Sequence, residues 1–370
     1  MRICHLISGD LWAGAEVQAY TMITSLSEVE DFELSAVVLN SGKLSEKLAE
    51  FGIDVSVVEE STNGFLSLRR KIQEIVTDRK VDILHTHRYK ENVIGAMIRE
   101  RAGVRALVQT VHGIGEPFSG LRKLRSRAYS ILNHHYTAKY FDRVLAVSDD
   151  IRRILAEKLD PDKVITIHNS IDIENIKPAQ SREEILSEFG IPADSVVIGS
   201  AGRMVPVKGF DVFIRACKII LDRQSDARFL LIGDGPELEN LKSLACDLGI
   251  DDTVIFPGFR DDIHDLLNCL DVFVVSSYHE GIPMVVLEAM TLGRPIVSTA
   301  VGGILEIIEN SRSGVLVDDV DPESIAGSCI ELLKNDTLRS DIEKNAPLRI
   351  ALKFGINAQR EKLAAVYRGI

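Results

Sequence analysis

Short β-branched runs alternate with helix-length amphipathic stretches through the first half of the chain. The runs are Arg2 to Ser8, Leu34 to Leu39, Asp54 to Val58, Ile83 to His85, Ala106 to Val111, Arg143 to Val147 and Val164 to Ile167. Each has the length of a buried strand, and stretches such as Ala15 to Ser27 and Leu66 to Arg79 between them repeat apolar residues at helical spacing. That order predicts βαβ units and a parallel sheet covered on both faces. The second half repeats the plan with Val196 to Ser200, Arg228 to Ile232, Val254 to Phe256, Val272 to Ser276, Pro295 to Ser298 and Gly314 to Val317. The pattern therefore predicts an α/β chain of two doubly wound domains.

Between the halves, Asn169 to Pro178 has no clear period and ends in a proline that disfavours helix at the residue before it. The boundaries follow: an N-terminal domain over 1–172, a hinge over 173–180 and a C-terminal domain over 181–350. The last stretch, 351–370, is helical in pattern after a break at Phe354-Gly355 and is expected to pack across the junction. In open α/β sheets ligands bind beyond the carboxyl ends of the strands, which singles out polar residues there: Gly9, His87, His112, Ser148, Asn169, Arg203, Gly233 and Glu280. Two such rims facing each other would make a deep cleft.

Charge narrows the class. The chain of 370 residues carries a net charge of -12, against a general nucleic-acid binder, which needs a basic surface. The negative charge is concentrated in residues 181–370, with 19 Lys+Arg against 30 Asp+Glu, while 1–180 is near neutral. Five cysteines, far apart and never in a CxxC pair, fit neither a disulfide framework nor a zinc site and read as buried thiols in a reducing compartment. No run approaches the length of a membrane span, and Met1 to Ile7 reads as a first strand rather than a signal peptide. A cytoplasmic protein is expected.

After the strand Val196 to Ser200, Arg203 and Lys208 stand five positions apart on a loop bearing Gly202, Pro206 and Gly209. Two fixed cations ahead of a helix suit a diphosphate; a solvated basic loop is the bland alternative. Gly233 and Gly235 follow another buried strand, but Leu238 stands where a dinucleotide fingerprint needs its third glycine. Gly9 and Gly14 have P-loop spacing, yet Ala15-Glu16 replaces the Lys-Ser/Thr that a nucleoside triphosphatase requires. The strongest local signal is Tyr278 to Met290. Pro283 suits the first helical position, so Glu280 lies in the loop ahead of a helix and Glu288 inside it, on a helix otherwise apolar nearly all round. Free amides at the helix start favour an anion, and a carboxylate inside it can accept hydrogen bonds from ribose hydroxyls. A carboxylate in such a place is costly without partners, which favours a function over a surface glutamate.

His112, at a strand end before Gly113, is a candidate donor or general acid/base, though a structural histidine is as ordinary there. His85-x-His87 puts two rings on one face of a strand, but no third ligand is evident, and Asp319-Val320-Asp321 reads as a solvated turn; no metal site is expected. From Ser119 to Arg143 six basic residues meet one acidic, interleaved with apolar and aromatic side chains. That patch, 119–143, points to an anionic lipid surface or anionic acceptor as readily as to a wet helix face.

Taken together these residues resemble the GT-B retaining glycosyltransferases of family 4 (glycosyl transferases group 1), which build bacterial polysaccharides and glycolipids. The resemblance runs through Gly14-Ala15-Glu16, Thr110 to Gly113, Val147-Ser148, His168 to Asp172, Gly202-Arg203 with Lys208-Gly209, Gly233 to Pro236, Phe256 to Phe259, and the E-x7-E pair Glu280 and Glu288. Two departures are Ala13 before Gly14 and Ser170 after Asn169, each where relatives commonly carry glycine. The resemblance implies two Rossmann-like domains across a cleft and transfer with retention, from a UDP- or GDP-linked sugar to a glycan or lipid-linked acceptor in cell-surface polysaccharide or lipopolysaccharide assembly. Arg203 and Lys208 would neutralise the diphosphate, so neither metal nor further cofactor is called for. Glu288 would hold the ribose, Glu280 would orient the donor sugar, the amides of Met284 and Val285 would approach sugar or phosphate, and His112 would reach the sugar from the N-terminal domain. Phe259 and Arg260 would line the base, and Gly14, Gly233 and Gly281 complete the donor-side candidates. A nucleotide-sugar epimerase of the same fold and a non-catalytic nucleotide-sugar-binding protein remain as alternatives.

Overall fold

Every predicted run becomes a strand within two residues of its expected ends. In the computed structural model, which describes residues 1–9, 12, 14–113 and 131–370, the first seven are β1 (Arg2–Ile7), β2 (Glu33–Val38), β3 (Asp54–Val57), β4 (Ile83–Thr86), β5 (Ala106–Val111), β6 (Arg143–Ala146) and β7 (Val164–Thr166). They form one parallel sheet in the order β3-β2-β1-β4-β5-β6-β7. The remaining six, β8 (Val196–Ala201), β9 (Ala227–Ile232), β10 (Val254–Gly258), β11 (Val272–Val275), β12 (Ile296–Thr299) and β13 (Val315–Val317), form a second parallel sheet ordered β10-β9-β8-β11-β12-β13. The chain divides into two units, Met1–Ser170 with Ile356–Ile370, and Ile171–Gly355.

Because strand side chains alternate between faces, each run feeds two cores. In β1, Ile3 and Ile7 pack with Ala19, Met22 and Ile23 of the helix Gly14–Leu26, while Cys4 and Leu6 pack with Leu68, Ile72 and Val76 of the helix Phe65–Asp78. Burial on both faces is why these strands read as continuous apolar runs. In the second unit Phe229 and Leu231 of β9 join the helices Phe210–Arg223 and Pro322–Lys334 in one core. All strands in a sheet being parallel, their carboxyl ends share one rim. Gly9, His87 and His112 thus stand along one rim, and Arg203, Gly233 and Glu280 along the other.

The break at Phe354-Gly355 is real: the helix Asp336–Lys353 ends there, and Ile171 N–H donates to the Phe354 carbonyl at 2.9 Å. Beyond it the helix Ile356–Arg368 belongs to the N-terminal unit, where Leu363, Ala364 and Tyr367 are buried against Ile3, Ile83 and Val108. Ser170, where relatives commonly carry glycine, donates its hydroxyl to Gln359 of that helix at 2.8 Å. One expectation fails: four cysteines are buried, but Cys246, on the outer face of the helix Leu238–Asp247, is exposed. Asp321 is no idle turn residue, since its carboxylate caps Pro322–Lys334 by accepting from Ser324 N–H at 2.9 Å. Among the described residues no helix is long and apolar enough to cross a membrane.

Leu363→Ala is expected to destabilise the N-terminal unit by about 2–5 kcal/mol, the cost of a large-to-small change in a closed core. Urea unfolding followed by circular dichroism checks this; an unchanged midpoint would show that the helix does not contribute to that core.

Candidate active site

The C-terminal rim is assembled by loops that approach too closely for side chains. Gly209, at φ 60° after the turn Pro206–Lys208, would place a Cβ 2.2 Å from the Ser276 carbonyl oxygen, so only glycine fits. Tyr278 N–H donates to the Val207 carbonyl at 2.8 Å and the Ser276 hydroxyl to the Lys208 carbonyl at 3.1 Å. These contacts lock the loop after β8 to the loop after β11. Gly233, after β9, is pressed against Gly202, its Cβ position 2.0 Å from the Gly202 carbonyl oxygen.

Locked in this way, Lys208 and Glu280 meet. Lys208 Nζ lies 2.6 Å from Glu280 Oε1, which also accepts from the Ser277 hydroxyl at 2.6 Å. The Glu280 side chain is 9% exposed and that of Lys208 21%, so the pair is largely withdrawn from water yet open on one side. Both line a pocket with Ser200, Ser276, Pro283 and Val286. Val285 also lines it, at the start of the helix Met284–Thr291. Pro283 is the residue before that helix, not its first residue as expected, and no side chain caps the end. The amides of Met284 and Val285 therefore have no acceptor within the helix and present partial positive charge.

Glu288 stands one turn farther in. Among the described residues its carboxylate has no hydrogen-bond or ion-pair partner, and desolvation pushes its pKa from the ordinary 4.5 up to about 7. It does not line the pocket that gathers Lys208, Glu280 and Val285, nor do Met284, Gly281, Gly233 or Arg203. Arg203 is exposed on the loop after β8 and makes no ion pair among the described residues, which leaves its guanidinium available. Phe259 is 57% exposed beyond β10. Arg260 is already engaged: it forks onto Asp262 and Glu188, with its guanidinium over the Phe189 ring, and those hydrogen bonds push its pKa further up.

Sequence reasoning missed the segment that supports Glu280 from behind. Cβ atoms on Gly302 and Gly303 would lie 2.1 Å from the carbonyl oxygens of Glu280 and Gly281 respectively, and Gly303 N–H donates to Glu280 O at 3.0 Å. Thr299, at the end of β12, donates to the Ser277 carbonyl at 2.7 Å. The adjacent glycines after a strand were the available signal.

In the N-terminal unit, His112 follows β5 with its Nε2 3.0 Å from His87 Nδ1, and burial, reinforced by the Arg88 charge, holds its pKa down to about 4. The third histidine that the sequence did not reveal is His5, paired by register with His85 across β1 and β4, its Nδ1 3.0 Å from His87 Nε2. Nitrogens of His5, His85 and His87 lie close enough to share a metal ion. Yet His85 spends both of its nitrogens elsewhere, Nδ1 2.5 Å from the Tyr367 hydroxyl and Nε2 2.7 Å from the Thr110 hydroxyl. Its ring stacks on His87 at 12°, so their in-plane lone pairs run parallel rather than converge. The geometry is that of a hydrogen-bonded stack. Gly14 opens the helix Gly14–Leu26, and a Cβ there would meet nothing within 4 Å. Nearby Glu16 is buried and paired with Arg88. Of the basic patch, residues 119–130 lie outside the described residues; 131–140 is helical and exposes Ile131 and Leu132.

Two parallel α/β units with polar rims, one carrying a lysine–carboxylate pair in a pocket at a helix start, have the architecture of a GT-B glycosyltransferase, and comparison with known proteins agrees. The family described as glycosyl transferases group 1 matches residues 181–349, and glycosyltransferase family 4 matches 12–175. The chain is 27% identical to the UDP-Gal:alpha-D-GlcNAc-diphosphoundecaprenol alpha-1,3-galactosyltransferase of Escherichia coli, over 99% of this chain and 96% of that one. It is 30% identical to the N-acetyl-alpha-D-glucosaminyl L-malate synthase of Bacillus anthracis, over 82% and 78%. Anabaena HepE, solved with UDP-glucose, superposes with a TM-score of 0.89 over the full length of both chains at 22% identity. The chain belongs to the group 1, family 4 glycosyltransferases.

Glu288 sets a pH dependence. A carboxyl whose pKa is raised on folding binds more protons folded than unfolded between the two values, so it lowers stability as pH rises from 4.5 through about 7. Glu288→Gln is expected to raise the melting temperature relative to the parent at pH 8, by roughly 2–4 °C, and to lose that advantage near pH 4. Differential scanning calorimetry across this range checks it; a difference independent of pH would mean that the carboxyl titrates normally.

Proposed function

We propose that the chain is a retaining hexosyltransferase that takes its sugar from a nucleoside diphosphate, UDP-linked, and passes it to a glycan or lipid-linked acceptor in cell-surface polysaccharide or lipopolysaccharide assembly. One observation carries the donor half of this reading: Lys208, set beside Glu280 in a pocket at the open start of an apolar helix. Charge accumulates on the departing diphosphate in the transition state, and a fixed ammonium with unpaired amides stabilises it without reorganising. Arg203, exposed on the same loop and without an ion pair among the described residues, supplies the second cation, so no metal is needed for that role. Glu280 orients the donor sugar, Glu288 accepts from the ribose hydroxyls and Phe259 offers an apolar face to the base. His112 is the candidate catalytic residue of the N-terminal unit. Retention follows from the family resemblance. UDP is favoured over GDP because the Escherichia coli relative is named for UDP-Gal and HepE was solved with UDP-glucose.

The lipid-linked acceptor is supported by the diphosphoundecaprenol in the name of that relative and by the excess of basic residues over 119–143. The chain would then work at the cytoplasmic face of a membrane, held by those residues against anionic lipid. Flotation with vesicles containing anionic lipid is expected to carry the protein up, and replacing Arg122, Lys123, Arg125 and Arg127 by glutamine to abolish this. No flotation, or flotation that survives the substitutions, contradicts it.

Isothermal titration with UDP tests the donor site. Lys208→Ala and Glu288→Ala are each expected to weaken UDP at least tenfold, about 1.4 kcal/mol. Unchanged affinity in both would overturn the assignment, and a thermal-shift panel of UDP, GDP and ADP reads the base preference from the ligand that raises the midpoint most.

A further inference from the structure

The rim of the N-terminal unit carries a line of three histidines, of which only His112 has a place in the proposed chemistry. Their contacts are nitrogen to nitrogen: His5 Nδ1 to His87 Nε2 at 3.0 Å, and His87 Nδ1 to His112 Nε2 at 3.0 Å. Ring centroids lie 5.4 and 5.3 Å apart, the separation of rings joined edge to edge through such a contact rather than stacked face to face. Period-2 alternation explains the line. His5 and His85 are register partners on the β1 and β4 face that carries Ile3 and Ile83, and His87 and His112 continue β4 and β5 two residues beyond His85 and Thr110. His85 stays outside the line because Tyr367 and Thr110 occupy its nitrogens. It stacks on His87 with centroids 4.7 Å apart at 12° and lies at the same distance from His5, tilted by 36°.

A neutral imidazole has one N–H and one lone pair, so each contact needs a donor on one side and an acceptor on the other. Only two proton arrangements satisfy both contacts. Either His5 and His87 each donate from Nδ1, which leaves His112 protonated on Nδ1, or all three rings are protonated on Nε2. The ends distinguish them. His5 Nε2 and His112 Nδ1 are both buried and without a partner among the described residues. The first arrangement leaves a bare lone pair at the deep end, where His5 is fully buried, and puts the unsatisfied N–H on His112, which is half-buried just beyond the end of β5. The second buries an orphan N–H beyond the reach of any ligand. Orphaned donors are rarer in proteins than under-satisfied acceptors, so the arrangement that carries its N–H at the shallower, half-buried end is favoured.

The geometry points to a tautomer relay in which His5 and His87 act as positioning residues that hold His112 protonated on Nδ1, ready to donate to a substrate oxygen. This rests on the reading of His112 as the candidate catalytic residue of its unit. In water a free imidazole prefers its proton on Nε2, so without the relay His112 would offer a lone pair instead. The relay is not a proton store. Passing an added proton down the line would leave the charge on His5, whose burial holds its pKa down to about 3. The Arg88 charge also disfavours imidazolium at His87 and His112. A neutral chain can set a direction but not accumulate charge.

Long-range proton–nitrogen NMR of the full chain, with histidine labelled and His112 assigned by its loss in His112→Gln, reads the tautomer directly. In the parent at pH 7, His112 Nδ1 is expected as the protonated nitrogen and Nε2 as the bare one; the reverse overturns the relay, whatever the variants do. His87→Phe removes both contacts and is expected to move the His112 proton to Nε2 and lower kcat about tenfold. His87→Gln keeps an acceptor and a donor on one side chain, and should preserve the Nδ1 form and most of kcat. If His87→Phe does not fold, His5→Leu, which removes the first donor, is read in the same way. A folded His87→Phe or His5→Leu variant that keeps the proton on Nδ1 overturns the proposal. If the tautomer shifts as expected while kcat is unchanged, the relay stands and the catalytic reading of His112 fails.

Discussion

Lys208 and Glu280 come from loops 72 positions apart and meet at 2.6 Å, and the C-terminal rim is arranged around that contact. Withdrawing an ammonium and a carboxylate from water is costly, and removing either partner alone strands a charge, so the pair persists only where backbone on both sides is held still. Gly209 seated on the Ser276 carbonyl, Gly302 on the Glu280 carbonyl, and the Ser277 and Thr299 hydroxyls supply that rigidity. A cation aimed in advance needs no reorganisation when charge develops on a bound diphosphate. Its carboxylate partner keeps it neutralised until then.

The overall charge gives this locality its weight. A chain at -12 repels a nucleoside diphosphate at long range, but salt at physiological strength screens that repulsion beyond roughly 8 Å. What remains is the field within a few ångströms, where Lys208, the exposed Arg203 and the first amides of Met284–Thr291 outweigh the distant acidic surface. The N-terminal rim uses the opposite strategy. Its histidines are buried deeply enough to stay neutral, and direction comes from hydrogen bonds, not charge. Both rims arise from one rule, that polar residues immediately beyond parallel strands collect at a shared edge.

The strands were legible because a parallel sheet buried on both faces leaves unbroken apolar runs, and these survive without knowledge of neighbours. Lys208 and Glu280, which the fold brings together, stand out in the sequence because each breaks its local pattern, a cation on a glycine-bearing loop and a carboxylate just ahead of an apolar helix; Glu288 stands out inside that helix but does not line the pocket they share. What escaped were residues whose meaning depends on register or packing. His5 is one polar residue in a buried run until β1 is aligned with β4, and Tyr367 reads as the apolar face of a terminal helix until that helix returns to β4. Gly302 and Gly303 look like an ordinary turn until Glu280 is found pressed against them. Phe259 and Arg260 show the converse, since adjacency in sequence joined two side chains that the fold separates, one open to solvent and the other forked onto Asp262 and Glu188.

A crystal structure of the chain with bound UDP is the most direct measurement of whether Lys208 and its helix are the diphosphate site. The expected result places a phosphate oxygen within hydrogen-bond distance of Lys208 Nζ, a second within reach of Arg203, and the Met284 and Val285 amides facing the anion. A diphosphate bound elsewhere, with Lys208 still closed onto Glu280 and no phosphate oxygen near either cation, would contradict it.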